Sequence, residues 1–261
     1  MNVIVSIKQV PDTTEVKINP QTNTLVREGV ASIINPFDMY AIEESLRIRE
    51  KCGGRVTVIT MGPPQAEDAL RSTLALGVDD AVLLSDHEFA GADTLVTGYT
   101  LAAGVRKLGE FDLIICGKQA ADGDTAQVGP QLAHRLGIPF VTFVKKIEEI
   151  RPGYLRVERM VETGYETVET KLPALITVVK EINEPRMESL RGKMKAAKAQ
   201  INVFGASDLD VDPSCLGLKG SPTQVVTIFT PPPRPTGKIF EGEPDTVVEK
   251  LTSELKERGL I

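Results

Sequence analysis

The stretch Asp112–Gly137, DLIICGKQAADGDTAQVGPQLAHRLG, reads as a buried strand, a polar loop containing glycine, and then a helix. Asp112 to Cys116 is a short apolar run rich in isoleucine. Gly117, Lys118, Gln119, Ala120, Ala121, Asp122 and Gly123 then combine two glycines with polar side chains and no proline. From Asp124 onward Val128, Leu132 and Leu136 recur at helical spacing, which predicts a helix capped by Asp124 or Thr125 and closed by Gly137. A strand that enters a helix through glycine presents unpaired backbone N–H groups, and the positive end of the helix dipole, to an anion. A plain strand-to-helix turn in an α/β sheet has the same pattern and needs no ligand. The polar density favours a nucleotide: Lys118, Gln119, Asp122, Asp124, Thr125 and Gln127 fall within ten positions.

Outward from this stretch, strands and helices alternate. Asn2 to Lys8 is an apolar, β-branched first strand, ended by Pro11. Val16 to Arg27 alternates around Asn19-Pro20-Gln21-Thr22, which predicts a hairpin off the main sheet. Asn35-Pro36-Phe37-Asp38 opens a helix with Asn35 as cap and Pro36 at its first position, and Ala41, Ile42, Leu46 and Ile48 continue it to Gly53-Gly54. Arg55–Met61 is a strand, Gln65–Leu76 a helix stopped by Gly77, and Asp80–Leu84 a third strand. Gly91-Ala92-Asp93-Thr94 leads into a helix over Leu95–Leu108 and is a second candidate phosphate cradle. The alternation predicts an α/β fold with right-handed crossovers and a mostly parallel sheet, whose ligands bind at the carboxyl ends of the strands.

After Gly137 the texture changes. Phe140–Ile147, Tyr154–Val161 and Thr167–Lys171 predict an antiparallel extension, and Leu172–Val179 returns to a buried strand. Lys180 to Ile201 reads by composition as a solvated basic helix. Met187 and Leu190, two hydrophobes amid charges, also suit a partner's pocket. Gln224–Phe229 is strand-like, Pro231-Pro232-Pro233 and Pro235 favour an extended arm, and Pro244–Arg258 has the spacing of a docking helix. The expected organisation is a nucleotide-binding domain over residues 1–185, a recognition loop and closing strand region over 186–230, and a proline-rich arm with its helix over 231–261.

Composition excludes several classes. Hydrophobic residues at 41% and charged residues at 25% are ordinary for a globular chain, and a net charge of -6 argues against nucleic acid as main partner. Cys52, Cys116 and Cys215 are far apart, which argues against zinc or a disulfide scaffold and for a reducing compartment. With no signal-peptide pattern and no bilayer-length apolar run, the expectation is a cytoplasmic protein without membrane insertion. No dinucleotide fingerprint, P-loop, HExxH or nucleophile elbow is present. His134 reads as solvated or helix-stabilising, Cys116 as a core residue, and no metal site is expected, although Asp122 and Asp124 resemble a carboxylate pair. No side chain is expected to be catalytic, so any chemistry has to come from a cofactor.

Four motifs in order carry a family likeness along nearly the whole chain. They are Asn35-Pro36-Phe37-Asp38; Gly117-Lys118-Gln119-Ala120 with Asp122-Gly123-Asp124 and Gln127; Leu172-Pro173-Ala174; and Asn183-Glu184-Pro185-Arg186 ahead of Met194-Lys195-Ala196. With these the chain resembles the β subunit of electron transfer flavoproteins. The resemblance implies a doubly wound α/β domain of the adenine-nucleotide α-hydrolase type and a heterodimer with an α subunit that holds FAD. It places nucleotide contacts on Ser6, on Asn35, Pro36, Phe37 and Asp38, on Met61, and on Gly117 through Val128, including Ala121, Thr125 and Ala126. It also implies that Leu190, with Met187 nearby, anchors in acyl-CoA dehydrogenases, and that the C-terminal arm embraces the α subunit.

The commonest members of that family hold a structural AMP and carry a run such as Asn-Asn-Gln-Thr after the second aspartate. Here the run is Thr125-Ala126-Gln127-Val128-Gly129-Pro130, and Ala90-Gly91-Ala92-Asp93-Thr94 precedes the third helix. Both features resemble the electron-bifurcating branch of anaerobes, in which the β subunit binds a second FAD. That flavin takes hydride from NADH, then sends one electron to ferredoxin or flavodoxin and the other through the α-subunit FAD to an acyl-CoA dehydrogenase. Two alternatives remain: an AMP-holding subunit of a non-bifurcating carrier between acyl-CoA dehydrogenase and a respiratory acceptor, and a nucleotide-binding stress-type regulator. The regulator accounts for the first half of the chain but not for the recognition loop or the arm.

Overall fold

The computed structural model describes residues 1–12, 18–19, 24–25, 32–227 and 237–261. In chain order the elements are β1 (Asn2–Ser6), β2 (Gln9–Pro11), β3 (Ile18–Asn19), β4 (Thr24–Leu25), β5 (Ser32–Ile34), α1 (Pro36–Cys52), β6 (Arg55–Met61), α2 (Glu67–Leu76), β7 (Asp80–Leu84), α3 (Thr94–Leu108) and β8 (Leu113–Gly117). There follow α4 (Val128–Leu136), β9 (Phe140–Arg151), β10 (Tyr154–Val161), β11 (Gly164–Lys171), β12 (Ala174–Val178), α5 (Leu190–Ala196), β13 (Asn202–Phe204), α6 (Gly217–Gly220) and α7 (Pro244–Glu257). The chain divides into two compact units, Met1–Val226 and Thr227–Ile261.

The first unit is built on a nine-stranded sheet in the order β11-β10-β9-β12-β8-β1-β6-β7-β13. From β9 to β13 neighbouring strands run parallel, while β10 and β11 add an antiparallel edge. β1 lies between β6 and β8, with Ser6 opposite Ile59 on one side and Cys116 on the other. The chain therefore winds outward from β1 in one direction through β6 and β7, and returns on the other side at β8. That reversal opens a crevice beyond the carboxyl ends of β1 and β8.

The two-residue period of the strands decides which helices cover which face. Val3, Val5, Val56, Val58, Leu113 and Ile115 share one core with Ala41, Ile42 and Leu46 of α1 and Leu70 and Leu74 of α2. The alternate residues Ile4, Ile59, Ile114 and Cys116 pack on Leu101 and Val105 of α3 and Leu132 of α4. Helices thus cover both faces, which is why the central strands are apolar throughout.

Several expectations are corrected. α4 begins at Val128 with Gln127 as N-cap and no side-chain cap, because Asp124 and Ala126 both hold positive φ and interrupt any earlier helix. Asn35 precedes α1, but its side chain does not cap the helix. The segment before α2 starts as a 3-10 turn over Pro64–Ala66. In place of one basic helix after Lys180 there is a 3-10 turn, an irregular segment and the short α5. Residues 224–227 form no strand, and Ile228 and Phe229 lie outside the described residues, as do the prolines 231–233 and 235. The expected hairpin is represented by β3 and β4, which pair antiparallel apart from the main sheet, and its turn lies outside the described residues. β13 has no counterpart among the expected strands.

In the second unit α7 opens with a proline at its first position and Asp245 in its first turn, both favourable at a helix N-terminus. Among the described residues no helix is long and apolar enough to cross a membrane.

Candidate functional site

The loop after β8 is tied to the opposite side of the crevice at four points. Asp38 is buried in the first turn of α1, where Oδ2 accepts from Lys8 N at 2.7 Å and Oδ1 from Gly117 N at 3.1 Å. Asn35, also buried, donates from Nδ2 to Gln119 O at 2.8 Å and accepts at Oδ1 from Ala121 N at 3.0 Å. Lys8 Nζ grips both oxygens of Asp122, at 2.7 and 2.8 Å. Lys118 projects its ammonium between the rings of Phe37 and Phe143, 5.4 and 5.8 Å from their centroids. These bonds explain the polar density of the first half of the loop: several of its groups, and the side chains of Asn35 and Asp38, hold the backbone.

Burial pushes the Asp38 carboxyl up to about 7, against the lowering effect of the N–H groups it accepts. Burial also raises the Cys116 thiol, and the neighbouring Asp38 adds to the effect. A buried thiol held protonated is a core group and not a nucleophile.

The second half of the loop is different in kind. Residues 121–125 and Gln127 are exposed, and Asp124 and Ala126 have φ of 53° and 55°. Asp124 accepts a bond from the Gln119 amide. Among the described residues the backbone N–H groups of Thr125, Ala126, Gln127, Val128 and Gly129 have no protein acceptor. A left-handed residue next to a right-handed one turns successive N–H groups toward one point, an arrangement that binds anions, and here it lies at the start of α4. Ser6 is buried at the end of β1 beside this loop, and Met61 ends β6. The structure thus gathers Ser6, Asn35–Asp38 and Gly117–Val128 at one crevice.

Thr94 starts α3, and α3 packs on α4 about one turn in from the start of each helix. A Cβ on Gly98 of α3 would lie 3.0 Å from Gln131 Cβ of α4, so a larger residue there would require α4 to give by a few tenths of an ångström. The two N-termini are neighbours, but the loop before α3 is partly closed by its own chain. Asp93 N donates to Ser221 Oγ at 2.9 Å, and the Asp93 carboxylate accepts from Val96 N, Thr223 N and Thr223 Oγ. Leu218 packs over Gly91. The N–H groups of Ala92 and Thr94 have no protein acceptor among the described residues.

Met187 and Leu190 are 91% and 78% exposed, Met187 on the segment before α5 and Leu190 at its first position. No cluster of three or more metal-binding side chains occurs among the described residues, and Asp122 and Asp124 bond Lys8 and Gln119 instead. His134 is exposed in the last turn of α4, where a positive charge suits the helix dipole. A cavity of about 600 Å³ opens at the amino ends of the strands, among Asn2, Arg106, Phe111 and Pro173, at the opposite end of the sheet from the crevice.

Residues 22–209 match the family described as the electron transfer flavoprotein domain. The chain belongs to this family. It is 53% identical, over the full length of both chains, to an electron transfer flavoprotein subunit beta of Thermoanaerobacterium thermosaccharolyticum. It is 49% identical, again over both full lengths, to subunit CarD of the caffeyl-CoA reductase-Etf complex of Acetobacterium woodii. Protein FixA of Azorhizobium caulinodans is 48% identical across 90% of this chain and 86% of its own. The likeness to electron transfer flavoprotein β subunits thus extends along the whole chain, and such a subunit implies an α partner.

Within this electron transfer flavoprotein chain, sequence reasoning missed Lys8, Phe143 and the ties made by Asn35 and Asp38. Lys8 had one signal, being the first charge after an apolar strand. Phe143 had none, because its φ of 59° comes from the irregular pairing of β9.

Proposed function

We propose that the chain is the FAD-binding β subunit of an electron-bifurcating electron transfer flavoprotein. The observation that carries this reading is the pairing of the α3 and α4 N-termini through Gly98 and Gln131. Two adjacent helix starts offer the two phosphates of a dinucleotide more unpaired N–H groups than one start alone. The donor set fits the group: the N–H groups from Thr125 to Gly129 and those of Ala92 and Thr94 suit phosphate oxygens. When bound, the flavin supplies hydride acceptance from NADH and one-electron transfer.

The chain's own residues bind and orient. Lys8, Asn35 and Asp38 fix the first half of the loop, so the open second half meets the ligand with little ordering left to do. Lys118 keeps a positive charge beside the crevice. Met187 and Leu190 present an apolar surface to an acyl-CoA dehydrogenase, and ferredoxin or flavodoxin is the second acceptor. The relative named as part of a reductase-Etf complex supports such an assembly. The proposed compartment is the cytoplasm.

The bonds of Ser221 and Thr223 to Asp93 favour a second reading. If that closure persists, only the α4 cradle is open, and the subunit holds AMP and serves for docking alone. The two readings separate in a coupled assay of the α/β heterodimer with NADH, ferredoxin, an acyl-CoA dehydrogenase and its enoyl-CoA. Ferredoxin reduction that depends on the enoyl-CoA supports bifurcation; a heterodimer that NADH never reduces refutes it.

A further inference from the structure

Arg186 immediately precedes the exposed Met187 and is tied to α1 by an unusually complete set of bonds. Its backbone N donates to Glu43 Oε2 at 3.1 Å, its Nε to the same oxygen at 2.7 Å, and Nη2 to Glu43 Oε1 at 3.2 Å. Nη1 and Nη2 also reach Glu50, at 2.6 and 3.2 Å. Glu43 and Glu50 are two turns apart on α1 and so share a face. Glu43 is only 4% exposed. Burial acts to raise its carboxyl, but hydrogen bonds from Arg186 and Arg47 prevail and hold it below the ordinary value. Asn183 adds bonds to Tyr40 O and Glu44, and Arg47 reaches Glu184 O.

The far end of the loop is held in the same way. Arg71 of α2 donates to Ala196 O at 2.9 Å and Ala199 O at 3.3 Å, and Ala196 is buried in the core beneath α2. Between these anchors Ser189 Oγ accepts from Gly192 N and starts α5. Met187, Leu190 and Met194, all more than 60% exposed, stand on the span between them. A short span fixed at both ends by planar guanidinium groups has few ways to present its side chains.

We infer that Arg186 is the positioning residue of this surface, setting the affinity of the heterodimer for its dehydrogenase by fixing where Met187 and Leu190 stand. The inference rests on the docking role proposed above for those two residues. Arg186 itself is one-third exposed and its donors are engaged by α1, so it acts through the loop.

The test uses the flavin-loaded α/β heterodimer, a purified short-chain acyl-CoA dehydrogenase as partner and a small dye as an acceptor that needs no docking. Arg186→Gln is expected to raise KM for the dehydrogenase about tenfold. Saturated kcat, dye reduction and flavin content stay unchanged, while amide exchange across 187–194 quickens. Arg186→Lys, which keeps the charge but loses the fork, gives a smaller rise of the same kind. Leu190→Ala serves as the reference. If it raises KM while Arg186→Gln does not, the positioning role is wrong and docking stands. If Arg186→Lys lowers flavin content or dye turnover, Arg186 is a structural brace and the inference fails. If Leu190→Ala leaves KM unchanged, the docking role fails and takes the inference with it.

Discussion

Gly117 at the end of β8 stands so close to Asp38 on α1 that a Cβ placed on it would lie 2.3 Å from Asp38 Oδ1. The same closeness lets Asp38 accept from both Gly117 N and Lys8 N, joining the ends of two strands across the crevice. Gly117→Ala is therefore expected to push α1 off β8 and cost about 2 kcal/mol or more. Urea unfolding of the heterodimer measures the loss, and nucleotide content should fall with it.

Asp38 also sets a pH dependence. Its carboxyl rises from an ordinary value of 3.8 to about 7 in the fold, chiefly through burial. Between those values the folded state binds more protons than the unfolded one, so this group's contribution falls as pH rises from about 4 to about 7. The effect is on the order of a few kcal/mol. Asp38→Asn removes the ionisation, and its stability relative to wild type should rise between pH 5 and pH 8. A difference that is flat with pH, or of opposite sign, would show that Asp38 stays ionised throughout.

Asn35→Ala breaks two bonds at once and leaves Gln119 O and Ala121 N without partners. The expected cost is about 1–3 kcal/mol of stability. Nucleotide affinity, read by calorimetry on the stripped heterodimer, should drop because the loop loses its attachment to α1. Unchanged affinity would mean that the open half of the loop keeps its shape without this tie.

Ala126 holds a left-handed φ of 55° next to the start of α4. Glycine accepts that conformation without strain, so Ala126→Gly is expected to be neutral or to stabilise by up to about 1 kcal/mol. Ala126→Val, β-branched, should cost about 1–2 kcal/mol and weaken nucleotide binding. Thermal melting of the three proteins with and without ligand checks the order.

The fold is largely legible in the sequence because its signals are local and periodic. Runs such as Arg55–Met61 and Asp80–Leu84 coincide with β6 and β7, and the glycines at 53, 77 and 137 end α1, α2 and α4 as expected. The location of the crevice follows from the alternation of strands and helices. The division of labour within it does not. Asn35 looks like a helix cap from sequence, yet its partners Gln119 and Ala121 lie more than 80 positions away. The bonds of Asp93 to Ser221 and Thr223, and of Arg186 to Glu43, are equally non-local. The start of α4 is misread from sequence because the φ values of Asp124 and Ala126 are imposed by the loop's attachments and not by residue type. β13 is three residues long, too short for a period to show.

The most direct measurement is the FAD and AMP content of the heterodimer, extracted from protein coexpressed with its α subunit and counted per heterodimer. Two FAD and no AMP are expected, one FAD being held in this chain by the neighbouring starts of α3 and α4. One FAD with one AMP would contradict this reading and leave a subunit that braces and docks without a redox centre of its own.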